Sequence, residues 1–466
     1  MRRTPIILTL AATLLGAAAA LAQTAPPAKE TPPPPAPPKN FSLPVVRKFD
    51  LPNGLKVRLV SYGEVPKVTV RLVTQTGNVD EGANEVWLGD VTGEMMQQGT
   101  ATRSAEDIAR QSALMGGALS VNVGMNQTVI GSDVFSESGP SAVALIADVA
   151  RNPRFPAAEL PRIKNDFLRR LSIERSQPQS VAAEKFLQVL FPNQVYGHYF
   201  PTPEMLQGYT LDQVRGFFDR NFGAARSSIY IVGRFDATAV EEAIRHNFSD
   251  WKAGAPPTNP AVNPVSRRAV YLIDRPGAVQ STLYIGLPTF DPSNPDYVPL
   301  VVTNALLGGS FGSRITSNIR EQKGYTYSPF SLLSTRLHTG YWAEIADVST
   351  NVTGPSIKEI IGEIDRLRRE PPTPAELRGI QNYLAGTFVL RNSTRDGIAG
   401  QLAALDLYGL GEDYLRNYVQ RVYAVTPADV QRMTQQYIDP AKLAIVVAGD
   451  KKAVAEQLKP YGEVIE

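Results

Sequence analysis

Apolar residues recur along this chain with two periods, and the switching between them predicts its elements. From about residue 55, LKVRLVSY and KVTVRLVTQTG alternate apolar and polar positions as paired, half-buried strands do. The period then lengthens, which predicts helices around 87–98 and 104–115, strands near 118–135, and helices near 139–150 and 156–175. Leu160, Ile163, Phe167 and Leu171 give the last helix its buried stripe. Past residue 268 the order begins again: strands (AVYLIDRP, STLYIGLP), helices, then strands from about 326 to 348. Antiparallel-rich sheets covered by helices place the chain in the α+β class.

That restart is a duplication. Thr210-Leu-Asp-Gln-Val214 and Thr426-Pro-Ala-Asp-Val430 stand 216 positions apart, and the same offset pairs Ile229 with Ile445, Ile231 with Val447 and Gly233 with Gly449. Each copy offers a threonine cap with Gln213 or Asp429 three residues on, an amphipathic helix, a loop, and an apolar strand ending at glycine. Two homologous domains follow, 45–250 and 269–466, joined by a linker over 251–268 that holds Pro256, Pro257, Pro260 and Pro264.

The first 44 residues fit neither half. Arg2 and Arg3, an apolar run to Leu15, and Ala20-Leu21-Ala22 form the pattern of a cleaved export signal over 1–22. Nine prolines between Pro26 and Pro44 then make 23–44 an extended tether, with folding expected from near Val45. The expected address is the periplasm. No later stretch has the length of a membrane-spanning helix, so no membrane is expected once the signal is cut.

Charge and composition narrow the chemistry. With 47 basic and 45 acidic residues among 466, the chain lacks the field that nucleic acid requires. Cysteine is absent, and the three histidines, His198, His246 and His338, are never three or four positions apart, so no helix offers two imidazoles to a metal. Gly308-Gly309-Ser310-Phe311-Gly312 matches the serine-hydrolase elbow, but no aspartate stands between it and the one later histidine, His338. A glycine-rich turn between helices is the reading kept. Asp90 and Glu94, at i and i+4, could set two carboxylates on one helix face, a poor zinc site without an imidazole.

Two longer stretches carry a resemblance. LGDVTGEMMQQGT (88–100) and LLGGSFGSRITSNIREQKGYTYS (306–328), with LPNGLKV near the start, resemble the active-site helix and second-domain signature of the pitrilysin and insulinase family of zinc peptidases. The family's processing-peptidase branch shares the duplicated layout, so the resemblance implies half of a clamshell. It carries His-x-x-Glu-His on the first helix, where this chain has Asp90, Gly93 and Glu94, and a glutamate on a later helix, where the spacing falls near Arg170. All the zinc-binding residue types are replaced, and a salt bridge among Asp90, Glu94 and Arg170 or a solvated helix of unconnected charges could stand there instead.

The second domain keeps what the first has lost. Arg320 and Tyr327 match the family's arginine and tyrosine, seven residues apart, that hold substrate carbonyls near the zinc, with Tyr325 as the competing tyrosine. A guanidinium and a phenol suit charge developing on a carbonyl oxygen. The resemblance therefore implies the non-catalytic subunit of a heterodimeric zinc peptidase. No cofactor is expected in this chain; zinc is expected in a paralogous partner, and peptides are the expected substrates. The alternatives are an inert peptide-binding or scaffolding homologue and an enzyme with a metal site rebuilt on Asp90 and Glu94.

Overall fold

The computed structural model describes residues 41–466, so the expected signal and most of the proline-rich tether lie outside the described residues. Twelve strands among the described residues form two six-stranded sheets. The first holds β1 (Arg47–Asp50), β2 (Lys56–Ser61), β3 (Lys67–Thr74), β4 (Ser120–Val123), β5 (Thr128–Phe135) and β6 (Ser227–Gly233), in the order β1-β2-β6-β3-β5-β4. The second holds β7 (Ala269–Asp274), β8 (Gln280–Thr289), β9 (Phe330–Arg336), β10 (Thr339–Ser349), β11 (Ala444–Gly449) and β12 (Val464–Ile465), in the order β12-β7-β11-β8-β10-β9.

Both sheets are antiparallel-rich but mixed. β6 slots between β2 and β3, parallel to β2, and β11 slots between β7 and β8, parallel to β7. These are the strands at the end of each sequence repeat, and they return from a distant helix, which allows a parallel neighbour where a hairpin would not. The helices before them begin at the expected caps: Thr210 and Gln213, and Thr426 and Asp429, exchange reciprocal side-chain and backbone hydrogen bonds. Such a cap contributes about 1 kcal/mol.

In the first half, helices α1 (Leu88–Met96), α2 (Ala105–Leu114), α3 (Gly139–Arg151), α4 (Leu160–Ser176) and α5 (Pro178–Leu190) follow in order. Leu160, Ile163 and Leu171 of α4 are buried, whereas Phe167 is half-buried with its ring 6.0 Å from that of Trp87.

The two halves exchange a helix. α5 belongs to the first half of the sequence yet lies on β8 and β11 of the second sheet, where Phe186 packs 5.4 Å from the Tyr284 ring and 5.5 Å from the Tyr341 ring. Its counterpart in the second half, the helix Arg395–Tyr408, lies on β3 and β6 of the first sheet and buries Ile398, Leu402 and Leu405 with Tyr230 and Val232. β6 and β11 are therefore covered on both faces, which is why they read as unbroken apolar runs instead of alternating ones.

The connection after Trp251 has no regular element until β7. It is nevertheless pinned: Thr258 donates to Asp80 at 2.5 Å, Asn263 N–H to Gln194 at 2.8 Å, and Asn259 pairs with His338 at the turn between β9 and β10. At the other end, packing begins before Val45. Leu43 is buried and the Phe41 ring lies 4.9 Å from that of Phe388, while Val45 itself is exposed.

Candidate functional site

α1 begins on an unusual local structure. Trp87 sits in the left-handed region at φ 68°, and the Glu81 carboxyl accepts the backbone N–H groups of Trp87 at 3.0 Å and Gly89 at 2.8 Å. The free N–H groups of the first helical turn thus find a buried acceptor instead of a cap at the neighbouring position. The Asn78 amide donates both to Glu81, at 3.0 Å, and to Asp90, at 2.7 Å, and so bridges two carboxyl groups. Burial pushes Glu81 up to about 8, and it raises Asp90 as well, against the opposing pull of Asn78 and Arg170. Two carboxyls held this close in a dry place cannot both ionise at little cost.

Arg170, on α4, stands 4.0 Å from Asp90 and lays its guanidinium 4.9 Å from the Trp87 ring centre and 5.9 Å from that of Phe167. Its side chain is half exposed, so this pair is a loose one, worth at most about 1 kcal/mol. Glu94 does not join it. The Glu94 carboxylate is held by Gln97 and Gln98 of its own chain segment, at 3.4 and 3.3 Å, although it borders the same shallow cleft as Arg170.

Gly93 brings α1 close against β4. A Cβ built there would stand 2.6 Å from the Val123 side chain of β4, and one at Gly89 would stand 3.0 Å from the Glu81 carboxyl. α1 rests directly on the edge strand through its glycines. A glutamate in place of Gly93 would have to displace the Val123 side chain. The residues present therefore do not fit zinc: Asp90 is engaged by an amide, Glu94 turns away, and a guanidinium occupies the fourth position. Among the described residues, no group of three or more His, Asp or Glu side chains is placed to hold a metal.

The Arg320 region is organised differently. The helix Tyr297–Asn304 runs on into a widened π-type turn, Ala305–Gly309, and after the glycine-rich turn a second such turn, Ser317–Gln322, carries Arg320. Wide turns of this kind re-aim side chains and recur at functional sites. The Arg320 guanidinium lies 4.2 Å from the centre of the Phe311 ring and 5.2 Å from that of Tyr327, with Glu321 at 3.2 Å. Tyr327 is 81% exposed and Phe311 71% exposed, so two solvent-facing aromatic rings flank a half-buried cation. Tyr325 points elsewhere: it packs against the second core, because Thr326 makes a single bridge to Val348 and breaks the run before β9 begins. The tyrosines are thus not on one face, as an extended 325–328 would place them.

Beneath the first wide turn lies a carboxyl without a partner. Glu344, at the centre of β10, is fully buried and directed at Gly308, where an added Cβ would stand 2.3 Å away; neither of its oxygens has a hydrogen bond, and burial raises its ionisation far above the usual carboxylate range. Ser310 Oγ is likewise buried and unpartnered, with no histidine bound to it. The glycine-rich segment is a turn.

Three of the residues described here left little trace in the sequence. Asn78 and Glu81 sit in a polar loop, where burial has no periodicity to announce it. Phe311 could have been noticed as a large apolar residue in a glycine-rich turn, outside any buried stripe.

These features define a two-domain, peptidase-like chain whose metal-binding helix has been closed. Two family models match it: "Insulinase (Peptidase family M16)" over residues 56–200 and "Peptidase M16 inactive domain" over 208–384, together more than half of the chain. The chain belongs to the insulinase family and lacks the family's zinc motif. It is 24% identical over 417 residues to an uncharacterized zinc protease of Mycobacterium leprae, covering 88% of this chain and 93% of that one. Its fold matches a peptidase M16 inactive domain from Pseudomonas fluorescens with a TM-score of 0.80 at 24% identity, covering 87% of this chain and 98% of that one. A protease from Helicobacter pylori matches with a TM-score of 0.82 at 16% identity, over 88% of this chain and all of the other.

Proposed function

We propose that this chain is the non-catalytic subunit of a heterodimeric zinc metallopeptidase of an exported compartment. It binds peptide and presents Arg320 and Tyr327 to the scissile carbonyl at a metal site carried by a paralogous partner. The observation that carries this reading is the contrast between the two sites. α1 is packed on Val123 at Gly93, whereas Tyr327 stands exposed with the half-buried Arg320 guanidinium held beside its ring, ready to reach outward.

The chemistry of the pair suits this role. A guanidinium held on an aromatic ring keeps its charge and loses little freedom on binding, so it can meet an oxyanion without first being ordered. The phenol of Tyr327 supplies a second, neutral donor. The first domain adds a surface for an extended peptide: β4 is the edge of its sheet, and its outer backbone groups are free to pair with an added strand.

The experiment is peptide hydrolysis with zinc by this chain alone, by a paralogue carrying His-x-x-Glu-His alone, and by the mixture. Activity confined to the mixture and lost with Arg320→Ala supports the shared site. A mixture no faster than the paralogue alone would leave an inert peptide-binding homologue.

A further inference from the structure

Away from α1 and Arg320, a cavity of about 260 Å³ opens where the helices Tyr297–Asn304, Pro374–Arg391 and Arg395–Tyr408 meet beside β9. All its lining residues belong to the second half, and it adjoins the helix that this half lends to the first sheet; clefts between packed helices are common ligand sites. One wall is apolar: Phe388 stacks on Tyr418 at 4.3 Å, and Val301, Leu405 and Leu415 complete it.

The other wall is rich in hydrogen-bond donors. The side chains of Tyr297, Tyr408, Tyr414, Tyr418, Gln401 and Arg391 all line the cavity. Tyr408 gives its hydroxyl hydrogen to Thr335 at 2.9 Å. Among the described residues, the polar atoms of the other five side chains make no hydrogen bond and Arg391 makes no salt bridge. Burial raises Tyr297, Tyr414 and Tyr418 above the ordinary phenol range, so all three remain neutral donors. Arg391, which is exposed at the rim, is the one charged group among the lining residues.

Three phenols and a guanidinium over an aromatic floor ask for a compact apolar body that ends in an anionic acceptor. We propose that this cavity binds a carboxylate carried on a small aromatic or branched apolar group, the carboxylate at Arg391 and the body against Phe388 and Tyr418. The space is below the usual range for drug-sized ligands, so the body is no larger than a single aromatic residue. A free small acid and the last residue of a peptide share this chemistry. The proposal goes beyond the peptidase-subunit reading and does not depend on it, since no residue is common to the two sites.

Calorimetric titration of the full chain with 3-phenylpropionate and with 3-phenylpropanol tests the idea. The acid should bind at least about tenfold more tightly than the alcohol, the difference a charged hydrogen bond supplies, and Arg391→Gln should erase that difference. Tyr414→Phe, which keeps the ring, should weaken the acid by a smaller factor and serves if the arginine variant fails to fold. N-acetylphenylalanine against its amide separates the sources: a peptide end is indicated if the acylated acid binds as well as phenylpropionate, a free small acid if it is excluded. No binding of any acid, equal binding of acid and alcohol, or an acid affinity untouched by both variants would overturn the proposal and leave a solvent-filled space between helices.

Discussion

The guanidinium of Arg320 stands 5.2 Å from the ring centre of Tyr327, so a half-buried cation and an exposed phenol seven positions apart in sequence form one unit. Neither is needed to fill a core. In the proposed heterodimer, Arg320→Ala and Tyr327→Phe should each lower kcat/KM of the mixture by roughly 10²-fold, the scale of removing one donor to a developing oxyanion. The melting temperature of this chain should hardly change. Steady-state kinetics beside a thermal melt decides it; a large loss of stability in either variant would return both residues to a structural role.

Asp90→His, Gly93→Glu and Glu94→His together restore the letters of the zinc motif but should not restore the site. The Gly93 replacement drives a side chain into Val123, and such overpacking costs about 1–3 kcal/mol. Elemental analysis of the dialysed triple variant should find no stoichiometric zinc, and its unfolding midpoint should fall. Adding Val123→Ala should recover part of the stability.

Glu81 sets a pH dependence. Its folded value of about 8 lies above the unfolded one of 4.5, so between these limits the folded chain holds a proton that the unfolded chain has released. Stability from this group is fully present below pH 4.5, declines as pH rises toward 8, and is level above it. Urea midpoints measured from pH 5 to 9 should fall along that window. In Glu81→Gln, which keeps an acceptor for the Gly89 N–H, the decline should flatten.

Glu344 should act in the same direction and without a compensating bond. Glu344→Gln removes a buried carboxyl whose ionisation is opposed by burial alone. The variant should be more stable than the parent, by a margin that widens with pH, in the same series of midpoints.

The exchanged helices make the halves interdependent. Expressed separately, residues 41–250 and 269–466 each leave one sheet face bare, so both should bind the dye ANS and self-associate. Co-expression should suppress this. Phe186→Ala in the whole chain should cost about 3–5 kcal/mol, the range for truncating a buried phenylalanine. Independent, monomeric halves would show that the exchange carries little of the stability.

Much of the architecture was legible because it is local. The capping boxes at Thr210 and Thr426, the strand that follows each, and the stripe on α4 are written at periods of three to four or two, and each element formed within a few residues of its expectation. The resemblance carried the family assignment. The proline count could place a tether, but not its end: Phe41 and Leu43 pack because Phe388 and its neighbours, some 345 positions later, offer them a surface.

Residue types and their spacing suffice for the duplicated α+β elements, for the lack of two imidazoles at helical spacing, and for an arginine and a tyrosine seven residues apart. Only the folded chain shows that α5 and Arg395–Tyr408 trade sheets, that Asp90 meets Arg170 and Asn78 while Glu94 is held by Gln97 and Gln98, that Gly93 lies against Val123, and that Tyr327 faces solvent while Tyr325 turns inward. Periodicity records which face of an element is buried. It does not record which distant element buries it, because that choice is set by shape and volume where chain segments far apart in sequence meet.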